Sequence, residues 1–190
     1  MSSSTILRSA RKSSGLSQME LAEITNVDQA SISRVETGRD VTLSTLETLL
    51  GATGHSLYLA PSLRADAATL VAEIRVWLRR KDTHRAARLL IQLNDNLVAE
   101  TGLVRGFLAI AEPEIIGRPV WDAAVAGLVE WRLEQEGLPF PDWTSRPERT
   151  LRRTRALVVD PADPLPPPEA TPVAFRRRGV LVWPDMFESV

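Results

Sequence analysis

Twenty-two residues, Ser17 to Gly38 (SQMELAEITNVDQASISRVETG), constrain the fold of this chain more than any other stretch. From Gln18 to Ile24, Leu21 and Ala22 occupy the apolar slots of a short helix. From about Gln29 to Thr37, Ile32 and Val35 point inward, while Gln29, Ala30, Ser33 and Arg34 fall on the opposite face. Between them, Thr25-Asn26-Val27-Asp28 is a tight polar turn. Asp28 is placed to cap the second helix with its carboxylate, and Gly38 to end it, because glycine tolerates the left-handed backbone of such endings. The pattern is helix, turn, helix.

The outward face of the second helix has a particular chemistry. A helix enters the major groove of duplex DNA only if its outer side chains are small or are flexible hydrogen-bonders, and an amide or a guanidinium can bond two atoms of one base edge. Gln29 suits adenine and Arg34 suits guanine. Ser31 and Ser33 fit either a base contact or an ordinary helix surface.

The residues Gly15-Leu16-Ser17-Gln18, Glu20-Leu21-Ala22, Val27, Ile32-Ser33-Arg34, Glu36, Gly38 and Thr45-Leu46 stand in the order and spacing of the Cro/cI-type (XRE) helix-turn-helix regulators, which residues 5 to 60 resemble. The resemblance implies that Gln29, Ala30, Ser33 and Arg34 face bases and that Gln18, Thr37 and Arg39 meet backbone phosphates. It also implies an inter-helix ion pair between Arg11 and Glu36. Val35 departs from the family pattern, in a slot often filled by something larger.

At 190 residues the chain is long enough for a second globular unit beyond such a head. There is no cysteine, so neither disulfides nor thiolate metal sites arise, which fits a reducing cytosol. The amino terminus lacks the basic and apolar segments of a secretion signal, and no apolar run approaches the roughly 20 residues of a membrane span. The expectation is a cytoplasmic protein with no membrane association.

Residues 1 to 60 carry five basic side chains (Arg8, Arg11, Lys12, Arg34, Arg39) against six acidic ones. Non-specific DNA affinity draws on cation–phosphate contacts, so this head alone is a weak binder; a dimer or basic groups elsewhere must help.

Around the motif, Thr5 to Ser13 reads as a first helix, and Leu46, Leu49 and Leu50 lie on another that Thr42 or Ser44 caps. After Gly54, His55 to Pro61 alternates, with Leu57 and Leu59 on one face and Tyr58 on the other, as a short strand. A lone strand after a helical domain invites a partner, either the same strand of a second copy or the later segment Gly179 to Trp183. A helical head with a terminal strand resembles the HipB- and HigA-like antitoxin branch of the family. That resemblance implies a homodimer paired through Leu57, Tyr58 and Leu59 on a palindromic operator in double-stranded DNA, and a cognate protein toxin as partner.

From Ser62 the pattern is helical again. Leu63, Ala67, Leu70, Val71, Ile74 and Leu78 form one stripe and Ala86, Leu90, Leu93 and Leu97 a second. Leu103, Val104, Phe107, Leu108 and Ala111 form a third, and Trp121, Ala124, Val125 and Leu128 a fourth within Pro119 to Glu136. Pro147 to Ala156 suits one more basic helix, Asp160 to Pro172 an extended spacer, and Gly179 to Trp183 an apolar strand that must dock. Residues 75 to 88 carry six cations against Asp82 alone, which suits either a phosphate or acidic-partner contact or a solvated face. The Trp121-Asp122-Ala123, Glu130, Gly137-Leu138-Pro139, Trp143 and Phe175-Arg176-Arg177-Arg178-Gly179-Val180 series also resembles an uncharacterised carboxy-terminal domain of actinobacterial regulators encoded beside toxin genes.

The expected fold is mainly α: a five-helix helix-turn-helix domain with a dimerising strand at 1–61, a partner-binding or sensory helical bundle at 62–157, and a Pro-rich spacer and docking tail at 158–190. No glycine-rich phosphate loop, cysteine nucleophile or Ser-His-acid grouping is present, and His55 and His84 show no metal-ligand spacing. The expectation is a non-enzymatic regulator without cofactor or metal. Its rivals are a stand-alone small-molecule sensor and an enzyme that uses the head for targeting, for which carboxylates such as Glu112, Glu114 and Asp122 would be the candidates.

Overall fold

A computed structural model describes residues 3–57 and 63–188. The chain divides into two compact units, Met1–Pro61 and Ser62–Val190.

In unit 1, α1 (Ser3–Ser13), α2 (Gln18–Thr25), α3 (Gln29–Glu36) and α4 (Leu43–Ala52) enclose a small core of Leu7, Ala10, Leu21, Ile32, Val35, Leu46, Leu49 and Leu50. Local chemistry starts each of the last three. The Ser17 hydroxyl accepts the Glu20 N–H while the Glu20 carboxylate accepts the Ser17 N–H, a reciprocal cap on α2. The Ser17 backbone N–H foremost, and then the Ser17 side chain, hold the Glu20 carboxyl below the ordinary range. Asp28 accepts the N–H groups of Ala30 and Ser31 to open α3, and Thr42 accepts that of Thr45 to open α4. Among the described residues there are four helices, not five. The chain leaves α4 through left-handed Gly54, and His55 to Leu57 adopt neither helix nor strand. Leu57 instead packs partly buried against the unit 1 core, while Tyr58 and Leu59 lie outside the described residues.

Unit 2 is built on α5 (Ala67–Arg79), α6 (Thr83–Ala99), α7 (Gly102–Ile110) and α8 (Pro119–Glu134). Nearly all of α8 is buried, so it has no solvent face; α6 and α7 pack on it together with the carboxy-terminal elements. Those elements are α9 (Val173–Arg177) and two short parallel strands, β1 (Arg155–Ala156) and β2 (Val180–Leu181), with Arg155 opposite Val180 and Ala156 opposite Leu181. Phe175, Val180, Val182 and Phe187 belong to the same core as the helices, so residues 158–190 contribute to this unit rather than standing apart as a spacer and tail. Trp131, Phe175 and Phe187 form an aromatic cluster, with Phe175 and Phe187 stacked at 5.5 Å and Trp131 edge-on to both. Gly127 makes this docking possible, because a Cβ there would lie 2.9 Å from Phe175 Cδ1.

Three sequence expectations are corrected here. The basic segment 147–156 does not form a helix. It makes a 3-10 turn at Pro147–Arg149 and then becomes β1, because the Arg155 and Leu157 N–H groups find carbonyls of Gly179 and Leu181. The strand expected over Gly179 to Trp183 is confined to Val180–Leu181, whose partner is β1. Finally, α7 is rotated from the face its apolar residues suggest. Arg105 is drawn inside to bond the carbonyls of Glu100 and Arg132 and to pair with Glu136, which turns Leu103, 77% exposed, and Ile110 outward.

A buried ion pair fastens the loop before α8. Asp122 accepts the N–H groups of Ile116, Gly117 and Arg118, and Arg149, fully buried, lies 3.3 Å from it while donating to the Pro113 carbonyl. Burial pushes the Asp122 carboxyl up from its ordinary range against those donors, and burial likewise pulls Arg149 down.

Candidate nucleic-acid interface

The exposed face of α3 is positioned from behind by a hydrogen-bonded chain that starts in the core of unit 1. Glu36, on the last turn of α3, is buried. Arg11 of α1 reaches it with a two-pronged grip, Nε to Oε1 at 2.6 Å and Nη2 to Oε2 at 2.9 Å, and donates its remaining nitrogen to the Leu16 carbonyl. Arg8 adds a bond to the Glu36 carbonyl at 2.7 Å. Burial pushes the Glu36 carboxyl up, but the donors Arg11 and Gln18 and the charges of Arg11 and Arg8 prevail and hold it below the ordinary range.

From Glu36 the chain of bonds runs outward. Gln18 Nε2 donates to Glu36 Oε2 at 2.9 Å, and Gln29 Nε2 donates to Gln18 Oε1 at 3.0 Å. Gln29, exposed at the start of α3, is thus oriented by Gln18, and Gln18 by the buried pair. Fixing the amide of Gln18 in this way also fixes which end of Gln29 it can accept from, leaving the Gln29 carbonyl oxygen turned to other partners.

Ala30 and Arg34 are exposed beside Gln29, and Ser33 is half-buried. Arg34 is folded back along its own helix. Its Nε donates to the Ala30 carbonyl at 3.1 Å and its Nη2 to Ser31 Oγ at 2.9 Å, with Asp28 at 3.5 Å. The Asp28 carboxyl is held low chiefly by the Ser31 hydroxyl, then by the Ala30 N–H, with Arg34 a smaller contribution. Arg34 is 54% exposed, so its guanidinium rests on the surface rather than inside. Thr37 bonds the carbonyls of Ser33 and Arg34 with its hydroxyl, and Arg39 is exposed just past the left-handed Gly38.

The exposed face of α3 and the Arg11–Glu36 grip therefore come together in one unit, whereas of Leu57, Tyr58 and Leu59 only Leu57 is described. Sequence reasoning passes over Arg8 and treats Gln18 as a phosphate ligand only. The spacing of Arg8 and Arg11, three apart on α1, is the available signal, since residues so spaced share a helix face.

No group of three or more His, Cys, Asp or Glu placed to hold a metal ion occurs among the described residues, and no described helix is long and apolar enough to cross a membrane.

A helix-turn-helix family model matches residues 7–58 of the chain. No curated protein and no solved structure matches it. The matched span holds all four helices' core residues and every side chain of the α3 face, so unit 1 is an XRE-type helix-turn-helix domain, and it marks the chain as carrying the DNA-binding module of a transcription regulator.

Proposed function

We propose that this protein is a homodimeric, sequence-specific repressor that occludes its own promoter, and that it is the antitoxin of a toxin–antitoxin pair whose toxin binds unit 2. The observation that carries the DNA-reading half is the α3 face, where Gln29 is pre-oriented through Gln18 by a buried ion pair while Arg34 stays at the surface. In this reading Gln29, Ala30, Ser33 and Arg34 contact bases, and Gln18, Thr37 and Arg39 contact phosphates. Arg34 must leave Ser31 and Ala30 to do so, which is an inexpensive rotation of an exposed side chain. The acid–base balance of unit 1 argues for two copies on one site, paired through Leu57 to Leu59. For the toxin-binding half, the support is the resemblance of the sequence to antitoxins together with an outward apolar stripe on α7, where Leu103 and Ile110 are exposed and Phe107 is half-buried.

Selection from a pool of random duplexes tests the first half: a palindromic consensus with half-sites about one helical turn apart is expected, and recovery of no consensus contradicts it. The second half predicts that a protein encoded beside this one co-purifies with unit 2 and halts growth when expressed without it.

One observation favours a second reading, a stand-alone regulator that senses a small molecule. Unit 2 contains a cavity of about 700 Å³ bordered by His84, Arg88, Ile91, Leu157, Trp183 and Met186, a size suited to a small ligand. A metabolite that shifts operator affinity, with no toxic neighbour, separates this reading from the first.

A further inference from the structure

The turn that joins α5 to α6 carries Arg79, Arg80, Lys81 and Arg85, all exposed. None of the four makes an ion pair among the described residues, although seven other arginines of unit 2 do. Of the carboxylates nearby, Asp82 is occupied in accepting the Arg85 N–H at 2.9 Å, and Glu73 lies further back along α5. The guanidinium groups of Arg80 and Arg85 lie over the Trp77 ring, at 5.0 and 4.2 Å from its centre. Stacking of this kind holds the planar charge in place and leaves its N–H groups directed outward, so less freedom is lost when an anion is bound.

A second observation concerns the backbone. Lys81 has φ +62, a left-handed conformation that disfavours any residue with a side chain. It closes α5 through two bonds, its own N–H to the Leu78 carbonyl and that of Asp82 to the Trp77 carbonyl. The helices α1, α3, α4 and α8 end through the same pair of bonds, and each has glycine at this position: Gly15, Gly38, Gly54 and Gly137. Of these five endings, that of α5 alone places a cation where the backbone favours glycine. A lysine at this position forgoes the backbone freedom of glycine and adds an exposed positive charge to the turn.

We propose that the α5–α6 turn is a phosphate-binding surface for duplex DNA, supplying cationic contacts that unit 1, with more acidic than basic side chains, lacks. The inference rests on the reading of unit 1 as a DNA-binding head. Because the two units share one chain, binding by the head raises the local concentration of phosphate for the turn, and weak contacts there suffice. The Trp77 ring is covered by guanidinium groups, so the surface suits phosphate rather than stacking on exposed bases.

The full-length chain and its Arg79→Gln/Lys81→Gly variant are compared by fluorescence anisotropy on a duplex of random sequence, about 40 bp long, across salt from ~50 to ~200 mM. Neutralising one phosphate-bound cation lowers the slope of log affinity against log salt by about 0.9, so the double variant is expected to be shallower by about 1.8. Lys81→Gly alone should raise the melting temperature while weakening DNA binding, a combination that misfolding cannot produce. An unchanged slope in the double variant, while Arg34→Ala still weakens binding to a selected site, overturns this surface and leaves the reading of unit 1 standing; the turn would then meet an acidic protein instead. Failure of the parent chain to bind any duplex overturns both.

Discussion

Unit 1 and unit 2 each hinge on a buried arginine–carboxylate pair, and the two pairs do different things. In unit 1, Arg11 and Glu36 lie at the start of a chain of bonds that ends on an exposed side chain, Gln29. In unit 2, Arg149 and Asp122 close in on themselves, tying the loop before α8 to the segment that leads into β1. The first pair transmits order outward to the exposed face of α3. The second locks a connection that has no local reason to form. A buried ion pair therefore does not by itself mark a functional site; what matters is whether its remaining bonds lead to the surface.

The largest expected effect breaks the second pair. Arg149→Ala leaves Asp122 buried without its counter-charge and should destabilise unit 2 by about 3–5 kcal/mol. Because the lesion lies wholly in unit 2, the head should keep its fold, so a thermal scan should show one transition moved and one retained. A single shared shift would mean that the two units do not unfold separately.

Next comes Gly127→Ala. The added methyl meets the ring and the backbone of Phe175 at 2.9 and 3.0 Å, and backbone cannot swing aside. A loss of about 1–3 kcal/mol is expected, with α9 loosened from α8, visible as faster hydrogen exchange of residues 173–182. Unchanged exchange there would show that the carboxy-terminal elements are not held by this packing.

Glu36→Gln sharpens the comparison from the other side. It keeps the shape and removes the charge, so about 1–2 kcal/mol should be lost at neutral pH. Since the Glu36 carboxyl is held below its ordinary range, its contribution is complete above the unfolded carboxylate pKa and disappears as pH falls through the depressed folded value. Parent and variant should accordingly converge in acid. A difference that persisted there would assign the effect to packing.

These differences also explain what could be read from the sequence. The helix-turn-helix was legible because its determinants are local: Ser17 and Glu20, Asp28, Gly38 and the spacing of Leu21, Ile32 and Val35 all act within a few residues. The bonds linking Gln18 to Glu36 and Gln29 required a three-dimensional arrangement that the motif implies only in outline. In unit 2 the α5, α6 and α8 stripes were legible by periodicity, and α7 was legible as a helix, but its inner face was not, since an arginine, Arg105, occupies it. The pairing of Arg155–Ala156 with Val180–Leu181 was hidden because two residues per strand leave no alternating pattern, and the basic run around them resembles a helix surface. Long-range contacts decided those segments against local preference.

The central claim is that the outer face of α3 reads base edges, and the preference at single base positions tests it most directly. On the duplex recovered by selection, Arg34→Ala is expected to cost about 1–3 kcal/mol and to relax preference at one position in each half-site. Arg39→Ala should instead weaken all sequences alike and flatten the salt dependence. Equal affinity and undiminished base preference in the Arg34→Ala protein would contradict the account.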